Sequence, residues 1–443
     1  MPLTLALPAP AAAPPHTEPR LPNVLIVTID TLRADRLSGY GYRRPTTPNL
    51  DRLLAGGVRF TQARTVEPLT NPALCSMFTS LYPHQHGATR NGLKVRPGLP
   101  SLARTLAQHG YMTAAFVGNW TLRDRISGLG EHFDRYDEVI TRKRWLGLFR
   151  GEATAEDLTD AALAWLRGGG ERGGERQPFL LWVHYVDPHA PYLLHRELAR
   201  DLGIGAGRAV ARQDRYDTEV AYADRHVGRL LAAVEGDPAL AADTLVVFAS
   251  DHGESLGEHG DWGHGRNLLE PALRIPMALS WPGRLRPGTI DAPALNIDLA
   301  PTVLGLLGLP APASFRGYDW TPVLAGRAVA PERVTWFQAH RGAVLSLQEA
   351  ASARRRGLLQ LAVIDKGRKE IFAVGGGERL VFDLRNDPRE TRDLAGVQAS
   401  SPSESLRGWM AKVSRGLAAS DRLAPAGVDS ESLARLRSLG YAE

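Results

Sequence analysis

The sequence predicts an α/β fold: a large mixed sheet, mainly parallel, between helices, with a small antiparallel sheet C-terminal to it. Three observations predict this. From Leu21 onward, buried-strand runs alternate with helical patterns, as parallel sheets with helical crossovers require. Three of the runs are almost wholly apolar, the mark of a strand covered on both faces. Each of the three then delivers carboxylate or imidazole at its C-terminal end, where open α/β sheets place their ligands.

Taken in order, residues 24–29 (VLIVTI) lead into Asp30, and residues 179–186 (FLLWVHYV) carry His184 and end in Asp187-Pro188-His189. Residues 244–250 (TLVVFAS) lead into Asp251-His252-Gly253-Glu254. Between the first two, Thr70-Asn71-Pro72-Ala73-Leu74 opens a helix with Leu74, Met77, Phe78 and Leu81 at helical spacing. Thr70 stands where an N-cap belongs, and proline near the first turn is tolerated there. Residues 168–177, rich in Gly, Arg and Glu, read as a surface loop, and 298–309 as a helix closing the main domain. After about Ala330, short alternating runs at 358–364, 370–374 and 379–384 suggest the small antiparallel sheet, covered by helices near 403–417 and 430–439. The expected division is a tail over 1–20, a catalytic domain over 21–330 and a C-terminal α+β subdomain over 331–443.

Composition narrows the function. The 443 residues exceed one ordinary core. The net charge of +5 rests on 48 Arg against 5 Lys, scattered without interleaved aromatics. That argues against nucleic acid as a partner and for an anionic substrate. A single cysteine, Cys75, excludes an internal disulfide and a cysteine-based zinc site. Residues 1–20 are rich in Pro and Ala, and read equally as a degenerate signal peptide or a disordered tail. The first implies a periplasmic or secreted protein, the second a cytoplasmic one. No run approaches the roughly 18 apolar residues of a transmembrane segment.

Asp30, Asp251 and His252, brought together by strand ends, make an N/O donor set suited to a divalent ion: Ca, Mg, Mn or Zn. A lone Asp-His after a strand more often caps a helix; the second carboxylate on a different strand is what favours a metal. Thr70 has two readings as well. It caps its helix, or its hydroxyl is a nucleophile beside the metal, at a helix terminus that favours an oxyanion.

Several blocks resemble the sulfatases. They are residues 23–36 (NVLIVTIDTLRADR), 40–60 (YGYRRPTTPNLDRLLAGGVRF), Tyr82-Pro83-His84-Gln85-His86-Gly87, 250–265 (SDHGESLGEHGDWGHG) and 382–395 (FDLRNDPRETRDLA). They occur in that family's order from residue 22 onward. The resemblance implies the fold of the alkaline phosphatase superfamily. Asp30 and Asp251 match metal-binding acids, while Thr31 stands where a second Asp is usual and His252 where Asn is common. The nucleophile position falls on Thr70, not Cys75. Threonine cannot become formylglycine, and the motif's Arg is Leu74 here. The Gly-Lys-Trp-His segment reads Gly118-Asn119-Trp120-Thr121, and a later Lys is His264. His189 resembles the histidine that contacts the ester.

The resulting expectation is a hydrolase holding a divalent metal on Asp30, Thr70, Asp251 and His252. Thr70, His189 and His264 are its catalytic groups, and Asn119, His184, Asp187 and Arg266 contact the substrate. Asp187, His189 and His264 offer a place for a second ion. A phosphate mono- or diester is the first choice of substrate and a sulfuric ester cleaved without formylglycine the second. A third possibility is a non-catalytic anion-binding protein, which would have no need to keep the metal donors together.

Overall fold

The computed structural model describes residues 21–140, 142–144, 149–168, 171–172, 175–205, 210–341, 357–374, 376–397 and 401–420. The expected tail over 1–20 and helix over 430–439 lie outside these residues, as do parts of the loop expected over 168–177, whose described residues Glu171–Arg172 and Glu175–Arg176 pair as a short antiparallel hairpin. The main sheet has eight strands: β1 (Asn23–Ile29), β2 (Val58–Arg64), β3 (Met112–Val117), β4 (Arg135–Glu138), β5 (Phe179–Tyr185), β6 (Thr244–Ser250), β7 (Met277–Ser280) and β8 (Gly288–Leu295). Their spatial order is β8-β2-β7-β6-β1-β5-β3-β4. Every adjacent pair is parallel except the two made by β7, which runs against both β6 and β2.

The apolar character of β1 follows from its place at the centre. Val24 and Ile26 enter one hydrophobic cluster, and Leu25, Val27 and Ile29 enter another on the opposite face, because successive strand side chains alternate. The first cluster is completed by helices α2 (Thr70–Thr79), α3 (Leu102–Gln108) and α6 (Leu299–Leu306), through Leu74, Phe78, Leu106 and Val303. The second is completed by α1 (Pro48–Gly56), α4 (Ala155–Gly168) and α5 (Arg212–Glu235), through Leu54, Leu158 and Leu230.

A four-stranded antiparallel sheet follows: β9 (Thr335–His340), β10 (Leu358–Asp365), β11 (Arg368–Ala373) and β12 (Arg379–Asp383), in that order. β10 to β12 answer the expected alternating runs, and β9, too mixed in polarity to read as a strand, adds a fourth. Helix α7 (Glu404–Ser420) covers the sheet through Leu406, Trp409 and Val413. The two sheets meet in the same apolar cluster, which takes Val66, Leu269 and Ile297 from the main sheet's loops. A buried ionic knot crosses the same seam. Lys369 lies 2.9 Å from Glu270 and 2.7 Å from Glu390, and Glu270 is also paired with Arg64. Such a knot holds only while every member keeps its partner.

Candidate active site at the strand ends

Strand register builds the site. Ile29 pairs with Ser250 on one side and Tyr185 on the other, so the chain leaves β1 and β6 at the same level, and Asp30 and Asp251 emerge side by side. Asp251 Oδ1 accepts N–H bonds from Thr31 (3.1 Å) and His252 (2.7 Å). Thr31 has φ +56°, a left-handed conformation costly for a β-branched residue. It is held there by its own N–H on Asp251 and by the Tyr216 hydroxyl donating to its carbonyl at 2.8 Å. This turn fixes one oxygen of Asp251 and leaves the other facing Asp30.

His252 is fixed as firmly. Its Nδ1 lies 2.9 Å from the Gly253 carbonyl. A carbonyl only accepts, so Nδ1 carries the proton and Nε2 presents a lone pair. Gly253 itself is required: a Cβ there would collide with the Pro271 carbonyl oxygen. Nε2 of His252 lies 3.5 Å from Asp251 Oδ2, 3.7 Å from Asp30 Oδ1 and 3.3 Å from Thr70 Oγ1.

Asp30, Asp251 and His252 are fully buried, and their ligating atoms lie within 4.8 Å of one another. Asp30 Oδ1 and Asp251 Oδ2 have no hydrogen-bond partner among the described residues. Burial, and then the Asp251 carboxylate, push the Asp30 pKa well above the usual range. Two buried carboxylates and an imidazole lone pair facing one another are unfavourable alone. A divalent cation resolves all three at once, so the residues present fit one. This is the only such group among the described residues; Asp187, His189 and His264 are not gathered into a second.

Thr70 begins α2 as its first helical residue, not its N-cap; Leu69 occupies that position and no side chain caps the helix. The capping role expected of Thr70 is therefore not used, which leaves its hydroxyl for His252. The helix terminus is also less open than expected. Asn71 N–H donates to Asn91 Oδ1 at 3.0 Å, Pro72 has no N–H, and Ala73 N–H returns to the Leu69 carbonyl. Leu74, at the position of the absent arginine, is buried in the core. Cys75 is buried too, with its thiol 3.3 Å from Asn71 Oδ1 and its pKa raised by burial.

The expected substrate contacts divide. Asn119 donates to Asp30 Oδ2 at 2.5 Å, while its own oxygen accepts from the Thr121 N–H and hydroxyl. Asn119 therefore orients Asp30. His184 flanks the same carboxylate, Nε2 to Oδ2 3.8 Å, with Nδ1 against the Thr28 hydroxyl, and burial lowers its pKa to about 4. Asp187 accepts the Ala155 N–H at 2.7 Å and so anchors the start of α4. Arg266 is exposed, and no described contact ties it to the cluster. His189 and His264 do reach the site. The His264 ring centroid is 4.4 Å from that of His252 and 5.3 Å from that of His189. Glu254, fully buried, holds His264 Nδ1 at 3.1 Å, while His189 Nδ1 donates to the Ala190 carbonyl.

Sequence reasoning did not find Asn91, the Glu254 partner of His264 or Thr28. Glu254 had a signal, two residues beyond His252. Asn91 had none, because its approach to α2 is set by the fold and not by local spacing.

Comparison with known proteins gives a consistent result. The sulfatase family model matches residues 22–309, and a model for the C-terminal part of N-sulphoglucosamine sulphohydrolase matches 257–405. An N-acetylglucosamine-6-O-sulfatase of Bacteroides thetaiotaomicron is 25% identical over 504 residues, covering 89% of this chain and 87% of its own. Human arylsulfatase A is 28% identical, covering 72% of this chain and 70% of its own. Among solved structures, one in complex with its substrate D-glucosamine-2-N,6-O-disulfate superposes with a TM-score of 0.70 at 20% identity, over 91% of this chain and all of that one. A phosphonate monoester hydrolase from Silicibacter pomeroyi superposes at 0.65 and 21% identity, over 90% of this chain and 94% of its own.

Proposed function

The chain belongs to the sulfatase family, and we propose that it hydrolyses a sulfuric ester with Thr70 as nucleophile and without formylglycine. One observation carries the reading: the Thr70 hydroxyl sits 3.3 Å from His252 Nε2, at the edge of the buried Asp30–Asp251–His252 group. A sulfuric ester takes precedence over the phosphate ester that the residues alone favoured, because both relatives named above are sulfatases. The neighbour solved with a sulfated glucosamine supports a sugar sulfate as substrate class. Neither a non-catalytic role nor a second ion gains support from the geometry.

Asp30, Asp251 and His252 would hold the divalent cation. When bound, it lowers the pKa of a hydroxyl beside it and offsets anionic charge. Thr70 Oγ1, its proton released to solvent, attacks sulfur, and the bond from sulfur to the alcohol oxygen breaks. His264, oriented by Glu254, gives that oxygen a proton. Water then attacks the sulfur of the threonine ester, with His189 or His264 taking its proton, and sulfate leaves as Thr70 is restored.

A second reading, a phosphodiester, has a specific observation in its favour, Thr70 itself. A threonine ester must be broken by a second displacement, which phosphorus supports well. The shared fold of a phosphonate monoester hydrolase is compatible with it. Turnover of aryl sulfate, aryl phosphate and an aryl phosphodiester, compared with several divalent ions, decides between them. No turnover of aryl sulfate under any ion would sink the first reading.

A further inference from the structure

The seam between the two sheets opens at the surface as a cavity of about 700 Å³ that the reaction described above does not use. Its floor is aromatic. Trp336 of β9 and Trp409 of α7 stack with ring centroids 6.1 Å apart, and Tyr82 meets Trp409 edge-on at 4.9 Å. Trp409 Nε1–H donates to the Phe337 carbonyl at 2.9 Å, so the polar edge of that indole is already satisfied. The rim is cationic: Arg316, Arg333, Lys412 and Arg415 line it, and no described lining residue is acidic. Arg333 is committed to Asp298, 2.6 Å away. Arg316, Lys412 and Arg415 are exposed and make no ion pair among the described residues. Lys412 Nζ lies 5.3 Å from the Trp336 ring centroid, which sets its charge beside the aromatic floor. A Cβ on Gly416 would strike the His84 ring, so α7 is seated tightly against residues 82–85 and carries Lys412 and Arg415 to the mouth.

This cavity stands apart from the strand ends. The Arg316 N–H donates to the Ser80 carbonyl at 2.7 Å, just past the last residue of α2. Thr70 is at the other end of that ten-residue helix, ~15 Å away at 1.5 Å per residue. We propose that the cavity is a second binding site, for a segment of an anionic saccharide bearing sulfate or carboxylate groups. The flat rings suit the C–H face of a pyranose, and the guanidinium groups suit sulfate or carboxylate oxygens. The volume is that of an ordinary small-ligand pocket. An apolar floor alone would suit a lipid chain; three unpaired cations around it favour a ligand whose charges recur along its length. Residues 421–443 of the chain itself offer poor charge complementarity, since Asp421, Asp429, Glu431 and Glu443 are nearly matched by Arg422, Arg435 and Arg437. The proposal does not depend on Thr70 or on which ester is cleaved.

Calorimetric titration of the full chain with a chondroitin sulfate hexasaccharide tests it, with chelator present so that metal-dependent turnover does not contribute. Binding is expected to saturate and to weaken with salt. Trp336→Ala, and Lys412→Ala combined with Arg415→Ala, are each expected to weaken it at least ~10-fold. Turnover of a 4-nitrophenyl ester by the metal-loaded variants should stay as in wild type. Neutral cellohexaose should bind at least ~10-fold more weakly than the sulfated hexasaccharide. Should Trp336→Ala unsettle Trp409 and lower the melting temperature, the double variant, whose side chains are exposed, still decides. Equal affinity in wild type and the double variant would overturn the proposal, as would cellohexaose binding as tightly as the sulfated probe. Tighter binding to phosphatidylglycerol vesicles than to the hexasaccharide, lost in the same variants, would make this face a membrane contact and overturn the saccharide.

Discussion

The hydroxyl of Thr70 and the Nε2 of His252 meet at 3.3 Å although 182 residues separate them. Two independent constraints produce the contact. The Gly253 carbonyl turns the His252 lone pair inward, and Leu69, as N-cap, frees the threonine side chain from capping its own helix. Neither constraint lies in the two residues themselves.

The first expected outcome concerns the cation. Asp251→Asn keeps an oxygen to accept the Thr31 and His252 N–H groups but removes the charge, so circular dichroism should stay native while bound metal and turnover are lost. Elemental analysis of the purified variant measures the first and a chromogenic ester assay the second. Full activity in chelator-treated wild-type protein without added metal would show that Asp30, Asp251 and His252 are not a metal site.

His264 should matter in proportion to how badly the leaving group needs a proton. Nitrophenolate leaves unaided, whereas a sugar alkoxide does not. His264→Ala and Glu254→Gln are therefore expected to cost only a few-fold on a 4-nitrophenyl ester and about 10²-fold on an alkyl or sugar ester. Equal losses on both substrates would point to packing around His252 rather than to proton transfer.

Cys75 should be chemically idle. Burial raises its thiol pKa, which suppresses the reactive thiolate, and the chain after it lacks the proline and arginine of a modification motif. Cys75→Ala is expected to keep wild-type kcat and to lower stability by about 1 kcal/mol or less, read from denaturant unfolding. An aldehyde at Cys75 in intact-protein mass spectrometry would overturn the assignment of Thr70.

Much of this site was legible because charge at the end of an apolar strand has few innocent explanations. Asp30, Asp251 and His252 needed only three buried runs and the rule that parallel sheets present ligands at their C-terminal ends. The less legible part concerns orientation. Asn119 and Asp187 are polar residues in the right loops, yet one steadies Asp30 and the other anchors α4, and spacing cannot distinguish these jobs from a substrate contact. The reversed direction of β7 is equally silent in sequence, since an apolar four-residue strand reads alike in both directions.

The sharpest expectation joins Thr70 to substrate charge. Thr70→Ser retains a hydroxyl at the same helix start and should keep measurable activity, whereas Thr70→Ala should lose at least ~10³-fold, as when a covalent nucleophile is removed. Acid quenching during turnover should trap the ester on the peptide containing Thr70. The charge preference follows from what surrounds it. Leu74, Asn119 and His264 stand where the sequence resemblance leads one to expect cations, and Leu74 is part of the core, so beyond one divalent ion the described site would hold little positive charge. A monoanionic ester is therefore expected to be cleaved with higher kcat/KM than a dianionic phosphate monoester, whether its centre is sulfur or a phosphodiester phosphorus. Aryl phosphate turning over faster than both aryl sulfate and aryl phosphodiester would contradict that charge argument. Thr70→Ala keeping near-wild-type rates would contradict the nucleophile, because no other hydroxyl is placed 3.3 Å from the His252 lone pair among the described contacts.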